Sequence, residues 1–92
     1  MTDQTNNFAI KFAVKAEKQA RKLPLHIVKK LHKQLLILMK NMYHPSLRVK
    51  RMEGQDAWEA RIDFKYRFTF SKTPDQILIL TLGPHDEGLG KK

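Results

Sequence analysis

Residues 58–70, WEARIDFKYRFTF, alternate apolar and polar side chains on both sides of a short break, and this pattern constrains the fold most. Alternation with a period of two predicts a β-hairpin with one buried and one solvated face. The side chains predicted to face the core are Trp58, Ala60, Ile62, Tyr66, Phe68 and Phe70. The opposite face is predicted to carry Glu59, Arg61, Arg67 and Thr69. Two arginines and a carboxylate this close together indicate either a charged surface or a site.

The rest of the chain predicts one small domain. Its 92 residues leave room for a single modest core, so we expect one domain over 1–92 with flexible ends at 1–7 and 86–92. Strands are predicted at 8–14, 47–52, 57–63, 66–71 and 76–82. The last strand is apolar on both faces, which predicts a position in the middle of the sheet, covered on both sides.

A helical period replaces the alternation between the first and second strands. Ala16, Ala20 and Leu23 predict a short helix that ends before Pro24, which suits the first turn of a second helix. The apolar stripe of the second helix is Val28, Leu31, Leu35, Leu38 and Met42. The predicted fold is α+β: a small twisted, mainly antiparallel sheet with this N-terminal two-helix hairpin on one face and the other face open.

Charge is the compositional feature that bears on function. The chain has 18 Lys and Arg against 9 Asp and Glu, a net charge of +9. This balance favours a nucleic acid or an acidic protein as partner over a charge that serves solubility alone. With no Cys and four scattered His, we expect no disulfide, no metal site and no cofactor. The chain shows no membrane-length apolar run and no signal peptide, so a cytoplasmic location is expected.

The order of the motifs resembles the RelE/ParE superfamily of bacterial type II toxin–antitoxin toxins. The similarity covers nearly the whole chain and is carried by KLP before a basic helix, HPSLRVKRMEG, WEARI, YRFTF and ILILTLGPHDE. RelE-like members cleave mRNA, usually in the ribosomal A site, whereas ParE-like members poison DNA gyrase without nuclease chemistry. The resemblance therefore implies alternative activities. A third alternative is an inactive member that binds only its antitoxin or RNA.

The resemblance to the RelE-like branch implies roles for residues of the predicted open face. Metal-independent RNA cleavage needs a base, an acid and cations that stabilise the phosphorane. Arg67 matches the arginine assigned to the scissile phosphate, Arg61 faces the RNA, and His85 acts on the leaving group. Glu59 is the predicted base. The cations predicted to contact the RNA backbone are Arg48, Lys50 and Arg51.

Each assignment has a structural alternative. Arg67 can be a surface strand residue, Glu59 can pair with Arg61 or a cross-strand arginine, and His85 can be a loop residue. Our first hypothesis is an mRNA endoribonuclease that acts on the ribosome and is inhibited by a cognate acidic antitoxin. Whether the two form a higher-order complex is left open. No membrane partner is expected.

Overall fold

The computed structural model describes residues 9–84, and its order of elements is the predicted one. The elements are β1 (Ala9–Phe12), α1 (Val14–Ala20), α2 (Leu25–Lys40), a 3-10 turn (Pro45–Leu47), β2 (Lys50–Arg51), β3 (Trp58–Arg61), β4 (Tyr66–Thr73) and β5 (Gln76–Pro84). The predicted flexible segments 1–7 and 86–92, together with Phe8 and His85, lie outside the described residues.

The strands form one five-stranded sheet in the order β1-β5-β4-β3-β2. β1 pairs with β5 in parallel and the other neighbours are antiparallel, which confirms the mainly antiparallel α+β fold. β5 lies between β1 and β4, as predicted. The prediction that β5 is covered on both sides is wrong for Leu78 and Leu80, which are only half-buried. The strand is interior because it has hydrogen-bonded neighbours on both edges.

A β-bulge shifts the register between β4 and β5. Thr69 pairs with Thr81 and Phe70 pairs with Ile79, so Leu80 is the extra residue of β5. Such an insertion reverses the alternation of faces beyond it. It explains why Ile79 and Leu82 are both buried in the same core although they are three residues apart.

Both helices pack on the same face of the sheet. Ala16 of α1 and Leu31 of α2 belong to one buried cluster with Phe68 and Phe70 of β4. Trp58 extends the cluster by stacking on Phe70, with 5.8 Å between the ring centroids. Burying each large apolar side chain contributes about 1.5–3 kcal/mol. This layer fixes the helix-covered face, and the opposite face carries polar side chains together with Leu78 of β5.

The helices differ from the prediction in their details. Val14 begins α1 instead of ending the first strand, and Pro24 precedes α2 as its N-cap. In α2, Leu31, Leu35 and Leu38 are buried as predicted. Ile27 is buried where Val28 was expected, because positions 27, 31, 35 and 38 follow one line along the helix. Met42 lies beyond the helix end and is half-buried.

The predicted strand 47–52 is only two residues long. His44 caps a 3-10 turn by accepting a hydrogen bond from the Ser46 N–H at 3.1 Å, and Leu47 is fully buried in that turn. Arg48 then adopts a left-handed backbone conformation with φ of 50°. This conformation cannot continue a strand, so pairing begins only at Lys50.

Candidate functional site

The β3–β4 register brings two arginines face to face. Arg61 lies directly opposite Arg67, and Glu59 lies directly opposite Thr69. Since residues two apart share a face, the structure places Glu59, Arg61 and Arg67 together on the face away from the helices. Three of the four predicted catalytic residues therefore meet, and all three are half-buried. We call Glu59, Arg61, Arg67, Thr69 and Thr81 the open face.

The arginine pair brings two like charges together and leaves two buried hydrogen-bond donors without partners among residues 9–84. Like charges directly opposite each other on adjacent strands are destabilising. The Nε atoms of Arg61 and Arg67 are buried, and neither has a hydrogen-bond partner among residues 9–84. Buried polar atoms in native proteins nearly always have partners, so an exception calls for an explanation. Oxygen atoms of an anion would satisfy both the charge and the unpartnered donors.

Threonines and a glycine complete the surface beside the pair. The Thr69 and Thr81 hydroxyls are 2.7 Å apart and hydrogen-bonded, and Thr69 is only 3% exposed. On β5, Gly83 lies directly opposite Arg67. Because glycine has no side chain, the Arg67 guanidinium has no bulky neighbour on that side. The result is a polar surface beside two arginines, and such side chains suit contact with a nucleic-acid backbone.

Gln34 holds the end of β3 against α2. This side chain is 7% exposed, and its Nε2 donates to the Arg61 carbonyl oxygen at 2.8 Å and to the Ser46 carbonyl oxygen at 3.2 Å. The backbone of Arg61 is therefore fixed from the helix side of the sheet. Sequence reasoning missed Gln34. The available signal was a polar residue three positions after Leu31, inside the apolar stripe.

Asp63 fixes the turn that joins the two arginine-bearing strands. Its Oδ1 accepts hydrogen bonds from the Lys65 and Tyr66 N–H groups, both at 2.8 Å, and its Oδ2 lies 3.7 Å from the Lys30 ammonium. Burial acts to raise the pKa of Asp63, but the two backbone N–H donors and Lys30 outweigh it and hold the pKa below its usual value. The ionised carboxylate therefore stabilises the turn.

Replacing Asp63 with Ala is expected to destabilise the fold by about 1–3 kcal/mol at neutral pH, since two charge-assisted hydrogen bonds are lost. The folded-state pKa is lowered, so this contribution is complete above the unfolded pKa of about 3.9 and is lost as pH falls through the folded value. Urea unfolding of both proteins between neutral pH and pH about 3 should show the difference shrinking. Asp56→Ala is the control, because the Asp56 side chain is 92% exposed. A stability difference between the wild type and Asp63→Ala that stays constant with pH would contradict the role of the Asp63 charge.

The three cations predicted to contact the RNA backbone lie in different parts of the structure. Lys50 lies opposite Glu59 and thus shares the open face. Arg51 lies opposite Trp58 on the helix-covered side. Its guanidinium carbon sits 5.3 Å from the Trp58 ring centroid, and its Nη2 lies 3.6 Å from Asp56. Arg51 thus has structural contacts of its own, while Arg48 is exposed in the left-handed turn before β2.

The remaining predicted residues are Glu59 and His85. Glu59 makes no ion pair within 4.0 Å among the described residues, so the expected alternative of pairing with an arginine is not seen there. His85 lies outside the described residues, and its role stays a prediction. Within residues 9–84, no three His, Asp or Glu side chains are grouped so as to hold a metal ion. No helix in that range is long and apolar enough to cross a membrane.

Solved structures with the same fold include toxins and toxin–antitoxin complexes. A chain of the archaeal RelE–RelB complex from Pyrococcus horikoshii OT3 is 24% identical, with a TM-score of 0.68 over 89% of this chain and 99% of that chain. YoeB from Staphylococcus aureus is 16% identical, with a TM-score of 0.74 over 86% of this chain and 98% of that chain. A chain of the E. coli RelBE toxin–antitoxin complex is 17% identical, with a TM-score of 0.69 over 84% of this chain and 95% of that chain.

These similarities confirm the RelE-like fold predicted from the motifs. They cover nearly the full length of the matching chains. No protein-family model and no curated protein matches the sequence.

Proposed function

We propose that this chain is the toxin of a type II toxin–antitoxin module and that it cleaves mRNA on the ribosome without a metal cofactor. The observation that carries the proposal is the Arg61–Arg67 pair, with two buried Nε donors that lack partners within residues 9–84. A guanidinium donates hydrogen bonds to two phosphate oxygens at once, so the pair suits a phosphate that gains charge during cleavage. The RelE-like fold supports this assignment.

The chemical roles follow from the side chains. Arg61 and Arg67 bind the scissile phosphate and stabilise the phosphorane. Glu59, on the same face and without an ion pair among residues 9–84, takes the proton of the 2′-hydroxyl. His85 protonates the departing 5′-oxygen. Lys50 extends the cationic track along the open face, while Arg51 chiefly supports Trp58. These roles need no bound metal, because each proton transfer and each charge has a side chain assigned to it.

The proposed partners are a ribosome carrying mRNA and an acidic antitoxin, all in the cytoplasm. A net charge of +9 favours both polyanionic RNA and an acidic polypeptide. Two of the three solved structures compared above are complexes, one of RelE with RelB and one of the RelBE toxin with its antitoxin, which supports an inhibitory partner for this chain.

Induced expression without a partner tests the proposal. We expect growth arrest, with loss of protein synthesis preceding any DNA-damage response, and with mRNA cut at positions that ribosomes occupy. Pulse labelling of new protein, mapping of RNA 5′ ends and a DNA-damage reporter measure the three effects separately. Intact mRNA together with a DNA-damage response would assign the chain to the gyrase-poisoning activity instead. Normal growth at full expression would favour the inactive, binding-only alternative.

A further inference from the structure

The turn between β3 and β4 carries a large aromatic side chain at its tip. Phe64 is 81% exposed, whereas Phe68 and Phe70 of β4 are fully buried. Among residues 9–84, the Phe64 ring belongs neither to the apolar cluster nor to an aromatic pair. Single exposed apolar side chains are common on protein surfaces, so exposure alone indicates no function. The position of the ring is the informative feature.

Phe64 lies midway along the chain between the two arginines of the open face. It follows Arg61 by three residues and precedes Arg67 by three residues. Its Cα atom is therefore within about 11 Å of the Cα atom of either arginine, the span of three fully extended residues. A nucleotide whose phosphate contacts the arginines thus has its own base, or the base of the next nucleotide, within reach of the ring.

The backbone on both sides of Phe64 is held in place by hydrogen bonds. The Ile62 and Asp63 N–H groups both donate to the Tyr66 carbonyl oxygen, at 2.8 and 3.2 Å, and the Asp63 carboxylate accepts from the Lys65 and Tyr66 N–H groups. Turns favour Gly, Pro, Asn, Asp and Ser, and Asp63 fills that role here, so the turn does not itself require a phenylalanine. A side chain on a fixed backbone loses less freedom when it binds a ligand.

The surroundings of the ring favour an RNA base over a protein as its ligand. Residues 61–67 hold three cations and a single carboxylate, Asp63, which already bonds the turn and Lys30. Proteins bind single-stranded RNA by combining cations that contact phosphates with aromatic rings that stack on bases. Anchors for a protein partner instead cluster with other such side chains. The other large apolar side chains that are exposed in the described part of the chain lie on the helices or just after them: Val14, Leu25, Leu36 and Tyr43.

We propose that Phe64 stacks on an unpaired base of the RNA substrate beside the scissile phosphate and so positions that phosphate at Arg61 and Arg67. The inference rests on the proposed function, because it adds a base-binding residue to the same site. A phenyl ring has no hydrogen-bonding group, so it reads no donor and acceptor pattern on the base. Phe64 therefore contributes affinity and fixes the register of the RNA while tolerating different bases.

A fluorescence titration with a single-stranded oligonucleotide tests the stacking directly. The probe is 2′-O-methyl RNA, which lacks the attacking hydroxyl and cannot be cleaved, and it carries 2-aminopurine, a base whose fluorescence is quenched when it stacks. Wild-type protein should quench the fluorescence on binding. Phe64→Ala should lose most of the quenching and bind about 5–150-fold more weakly, the range for one stacked base.

Three further variants separate stacking from general effects. Phe64→Trp keeps an aromatic ring and should retain both quenching and affinity. Phe64→Leu keeps an apolar side chain without a ring and should behave like Phe64→Ala. Tyr43→Ala is the matched control, because it removes another aromatic side chain that is 77% exposed, and it should bind like the wild type. Since both positions are exposed, every variant should unfold in urea as the wild type does.

Several results would overturn the inference. Wild-type quenching and affinity in Phe64→Ala or in Phe64→Leu would show that no ring stacks on the probe at this position. An equal loss in Tyr43→Ala would mean that the effect is not specific to Phe64. Undiminished RNA binding by Phe64→Ala, together with loss of inhibition by a co-expressed antitoxin, would assign the ring to the protein partner.

The induced-expression experiment distinguishes failure of this inference from failure of the proposed function. A wild type that cleaves mRNA while Phe64→Ala still quenches fully would refute only the role of Phe64. Phe64-dependent quenching by a wild type that leaves mRNA intact would refute the nuclease and retain the base-binding residue. A wild type that neither binds the probe nor cleaves mRNA would refute both.

Discussion

Arg67→Ala is expected to abolish growth arrest and to slow mRNA cleavage by about 10²–10³-fold while the protein remains folded. The size of the effect is that of removing one preorganised donor from a developing negative charge. Stability should not fall, because Arg67 faces another arginine and its Nε has no hydrogen-bond partner within residues 9–84. Removing one of two opposed cations relieves repulsion. Pulse labelling, ribosome-dependent cleavage and urea unfolding measure the three expectations.

Two further variants show whether the guanidinium or only its charge is needed. Arg67→Lys keeps the positive charge but loses the planar, bidentate donor arrangement, so it should recover little of the lost rate. Lys11→Ala removes a cation from β1, where the side chain is exposed, and should cleave like the wild type. Full toxicity in folded Arg67→Ala would remove the arginine pair from the chemistry. Equal losses in Lys11→Ala would mean that only overall charge matters.

The sequence alone predicted the open face because alternation in the hairpin determines which side chains share a side. Once Phe68 and Phe70 are buried, Arg67 and Thr69 must point the other way. These features depend on local pattern and on burial, both of which are visible in the order of residues.

Other features depended on interactions that a local pattern does not encode. The bulge at Leu80 arises because Thr69 pairs with Thr81 across the sheet, and nothing in QILILTL marks its position. Arg48 ends the 3-10 turn with a positive φ, which residue type alone does not predict for arginine. The contact from Gln34 to the Arg61 carbonyl joins residues 27 positions apart. The tertiary fold decides which side chain donates a hydrogen bond to a backbone carbonyl so distant in the sequence.

The fold also leaves the choice between RNA cleavage and gyrase poisoning to the chemistry of individual residues. Two cations and a carboxylate on one face can bind and polarise a phosphate. Cleavage additionally needs a proton donor for the leaving oxygen. Among the predicted catalytic residues, His85 is the only histidine, the residue type most often used for proton transfer in enzymes. His85 is therefore the residue at which the two activities make the most different predictions.

His85→Gln is expected to keep RNA binding and to reduce cleavage by about 10²–10⁴-fold, the range for a positioned acid or base. Binding should persist because the two arginines proposed to bind the phosphate are unchanged, and the loss should fall on the chemical step. Single-turnover cleavage on programmed ribosomes, with binding measured separately, distinguishes the two effects. The matched control is His26→Gln, which alters an exposed histidine of α2 and should leave both quantities unchanged. Unchanged single-turnover cleavage in His85→Gln would reduce His85 to a loop residue. A gyrase poison, which acts by protein contact, would retain its full toxicity in both variants.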